Sequence, residues 1–198
     1  MALAEQLGKL VGQIVGTAVR SVSVEVEGAA AALNQKPITG AVLAGLMGTY
    51  SQTVNMVNAP FLAKQRGLDV REIRHDREGD YHTLVAVAAT TPDGERRVAG
   101  TLFGNSGPRL VDMFGVEVEA ELEGTMIYIV NTDAPGFIGK LGTTLGEAGI
   151  NIATFSLGRR AAGGEAVALI AVDGEVPGAV VERLCALDGV REVVPLTF

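Results

Sequence analysis

The sequence predicts an α+β fold: a mixed helix and strand N-terminal part, followed by a βαββαβ unit of the ferredoxin-like type. Three observations carry this reading. Leu3, Leu7, Leu10, Val11, Ile14, Val15 and Ala18 recur at helical spacing. Ser21 to Glu27 alternates strictly, with Val22, Val24 and Val26 against Ser and Glu, the pattern of a half-buried strand. From residue 125 the pattern runs strand, helix, strand, strand, helix, strand, with its breaks at Gly and Pro.

The elements follow in order from local chemistry. In the first helix, over residues 3–19, Gly8, Gly12 and Gly16 recur every fourth residue, which predicts a close helix or sheet contact along that side. Pro37 falls in the first turn of a helix reaching Tyr50. Asn58 stands where it can cap the next helix, with Pro60 just inside and Gly67 as its stop. Strands follow at Val70 to His75, Tyr81 to Thr90 and Glu95 to Phe103, and Thr91-Pro-Asp-Gly94 joins the last two as a hairpin. Leu110 to Phe114 and Val116 to Leu122 read as short strands turning at Gly115.

In the second part the strands fall at 125–131, 150–158, 165–172 and 190–197, and the helices at 136–148 and 177–187. Ala161-Ala-Gly-Gly164 makes the middle strands a hairpin, Pro177 opens the second helix and Gly189 follows its end. Both helices are expected on one face of a four-stranded antiparallel sheet. An edge or face then stays open for a second copy.

Composition excludes several roles. With 47% hydrophobic residues the 198-residue chain can bury a real core, and with 5% aromatics and no Trp that core is aliphatic. A formal charge of −7 argues against nucleic acid, which needs a basic footprint. Cys185 is the only cysteine, so an intrachain disulfide is impossible; it is expected to be buried on an apolar helix face. Residues 3–19 are too short and, with Glu5 and Lys9, too charged to span a bilayer, so a cytoplasmic protein is expected.

One constellation stands out. An apolar strand, Met126 to Val130, runs into Asn131 and Asp133, and Pro135-Gly136 opens a helix at Phe137 and Ile138. That helix ends at Gly149, and a strand restarts at once with Ile150-Asn151-Ile152. This order is expected to bring Asn131, Asp133, the helix start and Asn151 together. A helix N-terminus attracts a carboxylate and an aspartate attracts an ammonium, so one small zwitterion would satisfy both. The competing reading is that Asn131 and Asp133 only cap the helix and Asn151 only serves a turn. A second candidate is an anion site at Asn105, Ser106, Gly107 and Arg109, where a Gly-rich turn offers N–H groups and Arg109 a fork of donors. An ordinary polar hairpin loop is its alternative.

Catalytic signals are weak. Gly136-Phe-Ile-Gly-Lys-Leu-Gly142 has Leu where a phosphate loop needs Ser or Thr. Asp76-Arg-Glu-Gly-Asp80 starts like a calcium loop, but Tyr81 and Val87 stand where Gly and Glu belong. His75 and His82 lack metal-ligand spacing and read as surface strand positions. The pairs Arg96-Arg97 and Arg159-Arg160 read as solvated faces, with one Arg of each available to a subunit contact. No catalytic residue, metal ligand or cofactor is expected in this chain.

Residues 125–198 resemble an ACT domain, the amino-acid-sensing module, through Asp133-Ala-Pro-Gly136, then Ile138, Leu141 and Leu145, and Gly149-Ile-Asn-Ile152. The upstream half resembles the intervening domain of long D-3-phosphoglycerate dehydrogenases. Leu3-Ala-Glu-Gln-Leu-Gly-Lys-Leu10, Val57-Asn-Ala-Pro60, Ala63-Lys-Gln-Arg-Gly67 and Val98-Ala-Gly-Thr-Leu-Phe-Gly104 carry that likeness. The resemblance implies a linking helix at 1–20, an intervening domain at 21–123 and an ACT domain at 124–198. It implies the regulatory part of an NAD-dependent enzyme of L-serine biosynthesis, without its nucleotide-binding and substrate domains, assembled as a homo-oligomer through its ACT domains. L-serine would bind between two ACT domains and inhibit, with Asp133 on the ammonium, Asn151 on the carboxylate or hydroxyl from the partner side, and Asn131 lining the pocket with Pro135, Gly136, Phe137 and Ile138. The intervening domain would take phosphate or a phosphorylated substrate near Arg109. Two alternatives are the small subunit of an iron–sulfur L-serine dehydratase and a free-standing ACT sensor. The first is disfavoured, because one cysteine cannot hold a cluster. The apolar first helix would, on this reading, be an interdomain helix stripped of its neighbour.

Overall fold

A computed structural model of the chain describes residues 1–16, 18–75, 79–104 and 107–198. The chain divides into two units, Met1–Phe114 and Gly115–Phe198.

The first unit contains α1 (Ala2–Val15), β1 (Ser21–Gly28), α2 (Gln35–Gly48), α3 (Ala59–Gln65), β2 (Asp69–His75), β3 (Thr83–Thr91), β4 (Gly94–Leu102) and β5 (Pro108–Met113). Its strands stand in the order β2-β1-β3-β4-β5. β1 and β2 are parallel, and α2 and α3 make the crossover that a parallel pair requires. The remaining pairs are antiparallel. Val22, Val24 and Val26 of β1 are buried on one face, as their alternation requires.

The expectation of a stripped first helix is overturned. Leu7, Leu10 and Val11 of α1 are fully buried, and α1 packs on α2, β3 and β4. Each such side chain contributes roughly 1.5–3 kcal/mol by leaving water. Glycines let the two helix backbones meet. A Cβ on Gly8 would lie 2.1 Å from the Val42 carbonyl oxygen, one on Gly12 2.5 Å from that of Leu46, and one on Gly45 2.1 Å from that of Glu5. Gly16 is different: its φ of 61° ends the helix, earlier than the apolar spacing implied.

Asn58 is also corrected. It occupies the N-cap position of α3, but its side chain serves the preceding loop, accepting from the Asn55 N–H at 2.8 Å and donating to the Thr53 carbonyl at 2.9 Å.

The second unit contains β6 (Val116–Ala120), β7 (Thr125–Thr132), α4 (Phe137–Glu147), β8 (Ile152–Arg159), β9 (Glu165–Val172), α5 (Gly178–Cys185) and β10 (Val190–Thr197). From β7 on, the element order is β–α–β–β–α–β. The strands stand in the order β10-β7-β9-β8, every pair antiparallel. Ile127 and Ile129 of β7, with Ala168 and Ile170 of β9, pack against Leu141 and Leu145 of α4 and Val180 and Leu184 of α5. Met126, Tyr128 and Leu169, which alternate with these, are buried as well. β6 comes so close to β8 that a Cβ on Gly158 would lie 2.1 Å from the Glu117 carbonyl oxygen. The open features of this sheet are therefore its edges, β8 and β10, which among the described residues pair only with β9 and β7 respectively.

Cys185 is exposed, against the expectation of burial. α5 turns Val180 and Leu184 inward, four residues apart, and Cys185 falls one position round the helix from that stripe. Among the described residues no helix is long and apolar enough to cross a membrane.

Candidate functional site

A cleft of about 500 Å³ opens where β7 ends and α4 begins. Asn131, Asp133, Pro135, Gly136, Phe137 and Ile138 all line it, together with Ala134 from the same segment. The chain turns there because Gly136, at φ 86°, holds the left-handed conformation from which α4 starts. The Asp133 N–H donates to the Gly164 carbonyl at 2.7 Å and pins the turn to the β8–β9 hairpin.

Asn131 is the polar residue driven deepest, at 1% exposure. Its Nδ2 donates to the Thr132 carbonyl at 2.8 Å, which fixes the amide. Its Oδ1 is buried and accepts no hydrogen bond. Leaving such an acceptor unmet costs about 1–3 kcal/mol. A ligand donor in the cleft would remove that cost, which capping of α4 does not explain, since Gly136 and not Asn131 or Asp133 holds the N-cap position without a side-chain bond.

Asp133 carries the negative charge of the site. Its Oδ2 accepts from Arg159 Nη1 at 2.6 Å and from the Gly163 N–H at 3.2 Å. The Arg159 hydrogen bond first, and the Gly163 bond second, hold its carboxyl below the ordinary value of 3.8.

The register explains the company. Asn131 pairs with Ala166, and Ala166 pairs with Arg159, so the three share one row and one sheet face. The small Ala166 separates the two polar side chains and leaves space between them. Pro135, Phe137, Ile138 and Leu157 supply apolar walls, and Ala162 and Gly163 close the hairpin side.

Sequence reasoning missed Arg159, Leu157, Ala162 and Gly163, and it read Arg159 as a solvated face. The hairpin turn at 161–164 places Arg159 opposite Ala166, but only knowledge that β7 lies on the far side of β9 brings it to Asn131.

Asn151 corrects the expectation of a single convergent set. It is not in the cleft. Ile152 pairs with Val172, at the opposite end of the sheet from the Asn131–Ala166–Arg159 row. The two rows are roughly 20 Å apart, six residue steps along β9 from Ala166 to Val172. Its Nδ2 donates to Asp173 Oδ2 at 2.7 Å. The reason is direction: α4 carries the chain back along the sheet, so the residues before and after it sit at opposite ends.

Of the anion candidates, Asn105 and Ser106 lie outside the described residues, as do positions 76–78 of the calcium-like loop. The Gly107 carbonyl accepts from the Phe103 N–H at 3.3 Å, and Arg109 is half-buried on β5 opposite Thr101. His75 Nε2 lies 3.4 Å from Glu25 Oε2 on a strand face.

Comparison with known proteins agrees with this division. The family model for the D-3-phosphoglycerate dehydrogenase intervening domain matches residues 1–114, and that for the ACT domain matches residues 125–189. A D-3-phosphoglycerate dehydrogenase of Synechocystis is 31% identical over 194 residues, covering 97% of this chain and 35% of the relative. The enzymes of that name from Bacillus subtilis and Methanocaldococcus jannaschii are each 34% identical, covering 92% and 100% of this chain and 35% and 38% of theirs. The chain thus spans little more than a third of the length of the curated relatives it matches. With one family model matching more than half of its residues, the chain belongs to the D-3-phosphoglycerate dehydrogenase family and corresponds to its intervening and ACT domains.

Proposed function

We propose that this chain is the regulatory part of an NAD-dependent D-3-phosphoglycerate dehydrogenase, and that its ACT unit, in a ferredoxin-like arrangement, binds L-serine for feedback inhibition. The observation that carries the reading is the buried, partnerless Oδ1 of Asn131, set in a cleft with an anionic Asp133. Asp133 and Asn131 receive the ammonium or hydroxyl.

Asn151 joins the site only from a second copy. β8 is an edge strand, and antiparallel pairing of two β8 edges about a twofold axis sets the Asn151 end of one beside the Arg159 end of the other. Ligand binding then stabilises one quaternary arrangement and slows the distant dehydrogenase by population shift.

The test is calorimetric titration of the chain with L-serine, with glycine and L-valine as controls. Saturable heat selective for L-serine, lost in Asp133→Ala while circular dichroism is unchanged, is the expected result. A folded wild-type chain that gives no heat with L-serine defeats the reading.

A further inference from the structure

We propose that Arg159 is the residue of this cleft that binds the ligand's α-carboxylate, supplied by the same chain that supplies Asp133; the proposal rests on the amino-acid reading above. An α-amino acid presents an ammonium and a carboxylate on one carbon. A receptor within a single chain needs an anion and a cation at short range, with open space beside them and a neutral acceptor nearby. Asp133, Arg159, the gap above Ala166 and Asn131 Oδ1 are that set.

The geometry distinguishes this from a structural ion pair. Arg159 is 54% exposed and Asp133 23%. A pair so open adds little to stability, so the fold does not need it. Both bonds to Asp133 end on Oδ2, which leaves Oδ1 for an ammonium. Arg159 spends one terminal nitrogen on Asp133. A guanidinium has five N–H donors in a rigid fork, and the rest of the fork matches the two oxygens of a carboxylate.

The row Asn131–Ala166–Arg159 spans two strand spacings, roughly 10 Å between the outer backbones. The side chains at its two ends stand on the same face of the sheet, and the small Ala166 between them leaves the space above it open. Binding therefore sets the zwitterion beside an existing ion pair, its ammonium on the free Oδ1 of Asp133 and its carboxylate on the remaining donors of Arg159.

The experiment compares L-serine with L-serinamide, which keeps the ammonium and hydroxyl but has no carboxylate, on the wild-type chain and on Arg159→Gln. The wild type is expected to prefer L-serine about tenfold or more, the value of a charge-assisted hydrogen bond. Arg159→Gln is expected to lose that preference: L-serine weakens about tenfold, while L-serinamide holds or gains because Asp133 has lost a competitor. Arg159→Lys keeps the charge without the fork, and an intermediate preference is expected. Thermal unfolding checks that each variant is folded, and either variant alone decides the matter.

Undiminished preference in Arg159→Gln or Arg159→Lys overturns the role of Arg159. So does a preference lost in Asn151→Ala and kept in the Arg159 variants, which assigns the carboxylate to the partner copy. Absence of wild-type heat with every amino acid overturns the amino-acid reading itself, and the role of Arg159 with it.

Discussion

Arg159 and Asp133 meet at 2.6 Å, one from the last position of β8 and the other one residue beyond β7, strands separated in the sheet by β9. The pair therefore reports directly on the assembled sheet, because nothing in local sequence holds the two together.

Its titration is the first prediction. The folded value of Asp133 lies below the ordinary one, so the stability it contributes is fully present above the unfolded value and is lost as pH falls through the folded one. The carboxyl 13C titration of Asp133 is expected to have its midpoint below 3.8, and Arg159→Gln is expected to move that midpoint up. A wild-type midpoint at or above 3.8 would contradict the pairing.

Asn131→Ala separates binding from folding. The substitution removes one hydrogen bond to Thr132 but also removes the buried, unmet Oδ1. The bond is worth about 0.5–1.5 kcal/mol and the unmet acceptor costs about 1–3 kcal/mol, so the two effects oppose and urea unfolding is expected to show no destabilisation beyond about 1 kcal/mol. L-serine affinity is expected to fall about tenfold or more. Strong destabilisation would make Asn131 a structural residue.

Glycine substitutions should divide by neighbour. Gly8→Ala and Gly45→Ala each drive a methyl into a backbone carbonyl of the facing helix at 2.1 Å. Each is expected to cost about 1–3 kcal/mol or more in urea unfolding. Gly142→Ala in α4 meets nothing within 4 Å and is expected to stabilise by about 0.5–1 kcal/mol. Equal effects at the two kinds of position would remove the close α1–α2 contact.

Cys185 is exposed, so a thiol reagent such as Ellman's is expected to titrate one thiol per chain without denaturant. Labelling that required unfolding would restore the buried role the sequence suggested.

Much of the fold was legible because its signals are local. The alternation of Val22, Val24 and Val26 gave β1, and Pro and Gly punctuation gave α2, α3 and the hairpin between β3 and β4 within a few residues. The side of the cleft built from one continuous stretch, Asn131 to Ile138, was legible for the same reason. Asn58 and Cys185 failed differently: residue type suggested a cap and a core position, but a competing loop bond and one step of helix phase decided otherwise.

The sequence by itself determined element type and order, the family, and the residues at the turn into α4, since periodicity, Gly and Pro act over a few neighbours. Only the tertiary structure decided which strands are neighbours. Pairing of β9 with both β7 and β8 brought Arg159 to Asp133 and carried Asn151 to the far end. The packing of α1 on α2 buried a helix that looked stripped. These are contacts between residues tens of positions apart, set by burial of whole faces, and no short stretch of chain contains them.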